Sequence, residues 1–193
     1  MTLANAITLF RIVLIPVFGV LFLHGHHALA LIVFALAGLS DLLDGLVARA
    51  LHQQTRLGQI LDPAADKLLL VVCFLATAAR GVIPRWLAAL VIARDVVLVA
   101  GAGLLALRLR RVAGEAPHHW KPTRLGKWST ATQVATIGLG LAQGMGGWPA
   151  LGPWVAALVV PCAAATALAG IQYVAFGIAS LRPPAARRDT VPA

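Results

Sequence analysis

Polar residues are so sparse along this chain that it divides into six long apolar stretches, at 7–23, 28–50, 65–79, 85–107, 129–145 and 153–181. A helix that crosses a bilayer needs roughly 17–25 predominantly apolar residues, and each stretch meets that length with some tolerance. The third is short and borrows 62–66 as its first turn. The sixth is long enough to tilt or to project beyond the bilayer. The pattern predicts an all-α polytopic membrane protein with six transmembrane helices. Residues 1–181 read as one membrane domain, since no internal repeat or linker divides them. Residues 182–193, basic and rich in Pro and Ala, read as a disordered tail. No basic segment precedes the first apolar run and Arg11 interrupts it, so this run is not read as a secretory signal.

Composition agrees. Of 193 residues 60% are hydrophobic and 12% charged, and the mean hydropathy is +0.85. Soluble domains carry roughly 25% charged residues, which excludes a globule with one large core. The formal charge of +9 raises the question of nucleic acid. In so apolar a chain, however, basic loops are better read as topology signals and contacts to anionic lipid, so no nucleic-acid partner is expected.

The basic residues are distributed unevenly. Arg49, Arg56, Lys67, Arg108, Arg110, Arg111, Lys121, Arg124, Lys127, Arg182, Arg187 and Arg188 fall on one side of the predicted spans, and only Arg80 and Arg85 on the other. By the positive-inside rule both termini face the cytoplasm, and the expected location is a bacterial inner membrane. Arg11 and Arg94 remain within spans. Each is open to two readings, a paired or snorkelling arginine or a substrate contact. Cys73 and Cys162 stand alone in apolar runs and read as packing residues.

Four of the seven acidic residues, Asp41, Asp44, Asp62 and Asp66, lie within 26 positions. A carboxylate near the bilayer costs on the order of 3 kcal/mol, and four together repel one another. A divalent cation is the cheapest way to keep all four ionised. Asp41 and Asp44 share a helix face near the end of the second span, with Gly45 and Ala48 on or beside it. Asp62, followed by Pro63, reads as an N-cap of the third span, with Asp66 one turn deeper. Hard oxygen donors of this kind suit Mg²⁺ or Mn²⁺ shared with substrate phosphate. Ordinary interfacial carboxylates paired with Arg49, Arg56 and Lys67 would be the plain alternative. A cation transporter would be another, but it calls for acidic residues spread through the bilayer depth, whereas these gather at one interface.

The run D-x2-D-G-x2-A-R-x8-G-x3-D-x3-D over 41–66 resembles the signature of the CDP-alcohol phosphatidyltransferase family at every position. The resemblance implies six spans with the signature joining the second and third. It implies that Asp41, Asp44, Asp62 and Asp66 hold two divalent ions. Asp41, Asp44, Gly45, Ala48, Arg49 and Gly58 would border the CDP moiety, and Asp66 would be the general base. The implied reaction is attack by an alcohol hydroxyl on the β-phosphorus of CDP-diacylglycerol, with CMP leaving.

The acceptor is indicated by shorter segments. Asn5-Ala-Ile-Thr-Leu-Phe-Arg11 resembles the phosphatidylglycerophosphate and cardiolipin branch. Ala93-Arg94-Asp95-Val96 and Lys121-Pro122-Thr123, with Lys127 and Thr130, resemble the mitochondrial-type cardiolipin synthases. Phosphatidylglycerol is therefore the preferred acceptor and glycerol 3-phosphate the alternative. Either carries a phosphate, for which Arg94, Lys121, Arg124 and Lys127 are candidates, the last three also explicable as positive loop charges.

Three further features are discounted. His24, His26 and His27 lie on the face opposite the acidic window and read as solvated ends. Gly140-x3-Gly144 serves either a homodimer or internal packing. Trp86, Trp120, Trp128, Trp148 and Trp154, near span ends, read as interfacial anchors.

Overall fold

A computed structural model describes the backbone over residues 3–50, 58–112, 123–145 and 150–180, and side chains over most of 7–40, 64–104, 123–145 and 150–178. All regular structure among these residues is helical: α1 (Leu3–Leu23), α2 (His27–Ala50), α3 (Gly58–Ala79), α4 (Arg85–Val112), α5 (Arg124–Gly144) and α6 (Leu151–Ser180). The six helices correspond to the six apolar stretches. Most starts, and the end of α4, run further than hydropathy indicated, because backbone helix continues beyond the apolar run. The tail and residues 51–57 and 113–122 lie outside the described residues.

One correction follows for α3. It begins at Gly58, so Asp62 lies inside the helix and is not its N-cap. Pro63, the sixth residue of the helix, then forgoes one intrahelical bond. The cap prediction failed because Asp-Pro is a common helix start, while Ile60 and Leu61 before it already belong to the helix. At α5 the cap is real but lies elsewhere. Thr123 has an extended backbone, and its hydroxyl accepts a hydrogen bond from the Gly126 amide at 3.1 Å.

α1 and α3 end in the same way. Gly25 (φ 86°) and Gly81 (φ 72°) follow the last helical turns. The His26 amide bonds back to the Leu21 carbonyl and the Val82 amide to that of Thr77, both at 2.9 Å. These are Schellman caps, in which only glycine adopts the left-handed step without strain.

α1 packs on α2 and α3, and α6 packs on α5 and α4. Contacts of α3 with α4 and α5, and of α2 with α5, join the two halves. The core between them holds Phe18, Phe22, Phe74, Leu87, Ile137 and Leu141, all fully buried. Cys73 and Cys162 are free and buried, as packing residues should be. Gly140 and Gly144 face inward: a Cβ on Gly140 would meet Val82 at 2.9 Å, and one on Gly144 would meet His27 at 3.0 Å. Of the two readings of this pair, internal packing is therefore the one the bundle uses.

Polarity is inverted relative to a water-soluble bundle. On α1, Thr8 and Arg11 are buried while Leu9, Phe10, Val13 and Val20 point outward. Val160, Leu104 and Ile171 are likewise about two-thirds exposed or more (70%, 68% and 66%). Trp86, Trp128 and Trp154 lie exposed near helix starts. By length and composition, one helical segment among the described residues, Leu151–Ile178, suffices to cross a membrane; Ile7–Leu23 and His27–Ser40 are shorter and also apolar.

Candidate active site

The inward face of α1 is where the site begins. Arg11 is wholly buried, and a buried guanidinium must find an acceptor. It finds Asp66 on α3, donating from a terminal nitrogen to Oδ1 at 2.7 Å. The Asp66 side chain remains 41% exposed, so it has access to a ligand while one oxygen is held from below. The Arg11 guanidinium thus fixes the direction of the carboxylate, and Thr8, one turn earlier on the same face, is buried beside it.

Lys67, the next residue of α3, turns to α4 and donates to Oδ1 of Asp95, which also accepts from Arg94 at 2.6 Å. Asp95 and Arg94 are 6% and 8% exposed, whereas Lys67 is 38% exposed. The Arg94 guanidinium lies 5.7 Å from the centroid of the Tyr173 ring on α6, within cation–π range. Tyr173 in turn presses on the start of α5: a Cβ on Gly126 would lie 2.9 Å from its hydroxyl. A single polar layer therefore crosses the bundle from α1 through α3, α4 and α6 to α5. About two turns further into α5, Gln133 donates to Ser129 (3.1 Å) and to Thr166 of α6 (3.0 Å), closing the layer with neutral groups.

The signature residues map onto this layer unevenly. Asp41 and Asp44 lie on α2 and Asp62 on α3, with Gly45, Ala48 and Arg49 on α2 and Gly58 at the first position of α3. The backbone keeps the i, i+3 and i, i+4 spacings, but the side chains of these residues lie outside the described residues. Asp66 is the signature residue whose contacts are described. Lys67 pairs with Asp95, which the plain reading of paired carboxylates did not anticipate. Of the acceptor candidates, Arg94 is buried against Asp95 and Tyr173, with its Nε lacking a hydrogen-bond partner among the described residues. Arg124 and Lys127 are exposed on the first turn of α5, and Lys121 lies outside the described residues.

Two site residues were legible only in part. Arg11 carried a signal, a cation inside an apolar run, but nothing in its local sequence named Asp66, 55 positions away. Asp95 carried only its place in the Ala93-Arg94-Asp95-Val96 segment, which did not name Lys67 as a partner. The discounted histidines stay apart from the layer: His24 bonds to the Val20 carbonyl at 2.8 Å, and His27 sits edge-on to Phe22.

Comparison with known proteins bears on all of this. The family profile described as CDP-alcohol phosphatidyltransferase matches residues 1–176. A human protein named cardiolipin synthase (CMP-forming) is 38% identical over 151 residues, covering 73% of this chain and 50% of its own length. A probable phosphatidylglycerophosphate synthase of Mycobacterium tuberculosis is 36% identical over 183 residues, covering 90% of this chain and 80% of its own. A probable cardiolipin synthase of Drosophila melanogaster is 36% identical over 155 residues, with 73% and 47% covered. The chain spans about half the length of the animal relatives it matches. With nearly the whole sequence matched by the profile, the chain belongs to the CDP-alcohol phosphatidyltransferase family.

Proposed function

We propose that this protein is a membrane-embedded phosphatidyltransferase of phospholipid synthesis, transferring the phosphatidyl group of CDP-diacylglycerol to an alcohol and releasing CMP. The observation that carries this reading is Asp66, the last aspartate of a complete signature, open to ligand and directed by a buried arginine. The inverted polarity of the bundle supports a lipid surround, since exposed apolar area of this extent marks a membrane surface. The basic residues gathered on one side support cytoplasmic termini, in a bacterial inner membrane.

The donor set fits a hard divalent cation: carboxylates at i, i+3 on α2 and at i, i+4 on α3, the last of them accessible. Asp41, Asp44, Asp62 and Asp66 would hold two ions, Mg²⁺ or Mn²⁺. When bound, such ions offset pyrophosphate charge. Gly45, Ala48 and Gly58 leave room for the nucleotide against the helix backbones, and Arg49 meets phosphate oxygens through its planar fork. The acceptor hydroxyl oxygen forms the new bond to the β-phosphorus while the bond from that phosphorus to the CMP oxygen breaks. The hydroxyl proton passes to the Asp66 carboxylate. Arg11 keeps that carboxylate aimed through the reaction, which is where orientation contributes most to rate.

Phosphatidylglycerol is the acceptor we favour, giving cardiolipin. The Arg94-Asp95 and Lys121-Pro122-Thr123 segments support it, as does the identity to animal proteins of that name. Arg94, Lys121, Arg124 and Lys127 would meet the acceptor phosphate. Glycerol 3-phosphate is the second reading, favoured by the fuller length match to the mycobacterial phosphatidylglycerophosphate synthase. Purified protein supplied with CDP-diacylglycerol, metal and each acceptor in turn separates the two by mass spectrometry. A product with four acyl chains supports the first, and phosphatidylglycerophosphate alone replaces it with the second. Absence of CMP with every acceptor removes the enzyme reading. Asp66→Asn should retain nucleotide and lose turnover.

A further inference from the structure

The end of the bundle away from Asp66 contains an open cavity of about 750 Å³, lined by the α3–α4 turn and the facing ends of α5 and α6. Its walls include Arg80, Arg85, Gln143, Ile83, Val155 and Val159. Ala79, which ends α3, is thirteen residues beyond Asp66, about 20 Å along the helix axis at 1.5 Å per residue, so this cavity is separate from the site described above.

Its charge is one-sided. The seven acidic residues are Asp41, Asp44, Asp62, Asp66, Asp95, Glu115 and Asp189, and none lies in the α1–α2, α3–α4 or α5–α6 connections. Arg80 and Arg85 are the two basic residues that depart from the positive-inside distribution, and both line this one cavity. Both are exposed, and neither has an ion-pair partner among the described residues. Cations on the translocated side run against the topology signal, so their placement together needs a local reason.

The turn that carries them is built to be rigid. Arg80 precedes Gly81 in the Schellman cap, whose Val82-to-Thr77 and Gly81-to-Ala78 bonds (2.9 and 3.2 Å) fix its backbone. Arg85 opens α4 directly after Pro84. Arg80 and Arg85 therefore stand on a short, constrained segment, in a lining that also includes Gln143 and the apolar Ile83, Val155 and Val159. Cationic donors together with apolar lining match an amphipathic anion. The volume lies within the roughly 300–1,000 Å³ of small-molecule sites.

We infer that the Arg80–Arg85 cavity binds the phosphate headgroup of an anionic phospholipid in the leaflet opposite the signature aspartates. The site rests on the membrane reading but not on the transferase chemistry, and it serves as a lipid-binding site distinct from donor and acceptor binding.

The test uses the full chain in nanodiscs of phosphatidylcholine containing phosphatidylserine, which is anionic and is neither proposed acceptor nor product. Native mass spectrometry counts the retained phosphatidylserine. Wild type should keep one more than Arg80→Ala/Arg85→Ala, whose affinity at that site should fall at least tenfold, and Arg80→Lys/Arg85→Lys should recover most of the difference. Millimolar inorganic phosphate should leave the lipid in place. Equal retention by wild type and the double alanine variant overturns the site. Displacement by inorganic phosphate overturns the lipid as its ligand, and equal retention of phosphatidylcholine overturns the charge argument. CMP release, measured in parallel, should be unchanged in the double alanine variant. The lipid count is read whether or not CMP appears, so failure of the transferase reading and failure of this one are separate results.

Discussion

Removing the carboxylate of Asp95 should unfold this protein more readily than removing either cation that it accepts from. Asp95→Ala leaves Arg94, 8% exposed, without its anion, and leaves Lys67, 38% exposed, free to turn toward water. Breaking a buried pair from one side costs about 3–5 kcal/mol, because the abandoned charge stays desolvated. The Lys67 bond adds about 0–1 kcal/mol, since solvent replaces it. The Tyr173 ring at 5.7 Å stays beside the stranded guanidinium as it does in the wild type, which holds the loss toward the lower end of that range. A net destabilisation of about 3 kcal/mol remains. At roughly 2–4 °C per kcal/mol for a chain of this size, the midpoint of thermal unfolding in detergent should fall by about 6–12 °C. The discriminating measurement is a second substitution. Arg94→Met in the Asp95→Ala background removes the stranded guanidinium and replaces it with an apolar chain of similar reach. The double variant should recover at least half of the lost stability, since exchanging a whole buried pair for apolar groups is often neutral. If the double variant unfolds at or below the temperature of Asp95→Ala alone, the layer is not held by charge compensation and the reasoning fails.

Other outcomes follow from the same geometry. Arg11→Met should leave the unfolding midpoint within a few degrees while kcat for CMP release falls about 10–100-fold, because Asp66 loses its direction rather than its fold; unchanged kcat would dismiss Arg11 as an orienting group. Thr123→Ala removes the α5 cap and should cost about 1 kcal/mol, read from thermal or denaturant unfolding, with Thr123→Ser close to wild type. Gly126→Ala would place a methyl 2.9 Å from the Tyr173 hydroxyl, so about 1–3 kcal/mol of stability should be lost and largely regained in Gly126→Ala/Tyr173→Phe. Chelation with EDTA should abolish CMP release, and Mg²⁺ or Mn²⁺ should restore it; activity that persists in chelator would remove the metal role of the four aspartates.

Read alone, the sequence determined the six helices found among the described residues and the family to which the chain belongs. Long apolar runs admit no other spanning element than helix, because every backbone donor must be satisfied within the segment. Carboxylates repeated at helical spacing report a shared face from local geometry alone. Helix ends were less legible: Asp62 lies inside α3 and Thr123 caps α5, because polar residues outside the apolar run leave no hydropathy trace. The partners of buried charges were not legible at all. Arg11 meets Asp66 from 55 positions away, and Lys67 meets Asp95 from 28. Pairing across helices depends on which faces pack and at what depth, and a one-dimensional pattern carries neither. Only the packed bundle decided that Arg11 pairs with Asp66 while Arg94 lies against Asp95 and Tyr173. It also brought the two outlying arginines onto the lining of one cavity, because charges five positions apart on a chain share a surface only when a turn and the neighbouring helices place them there.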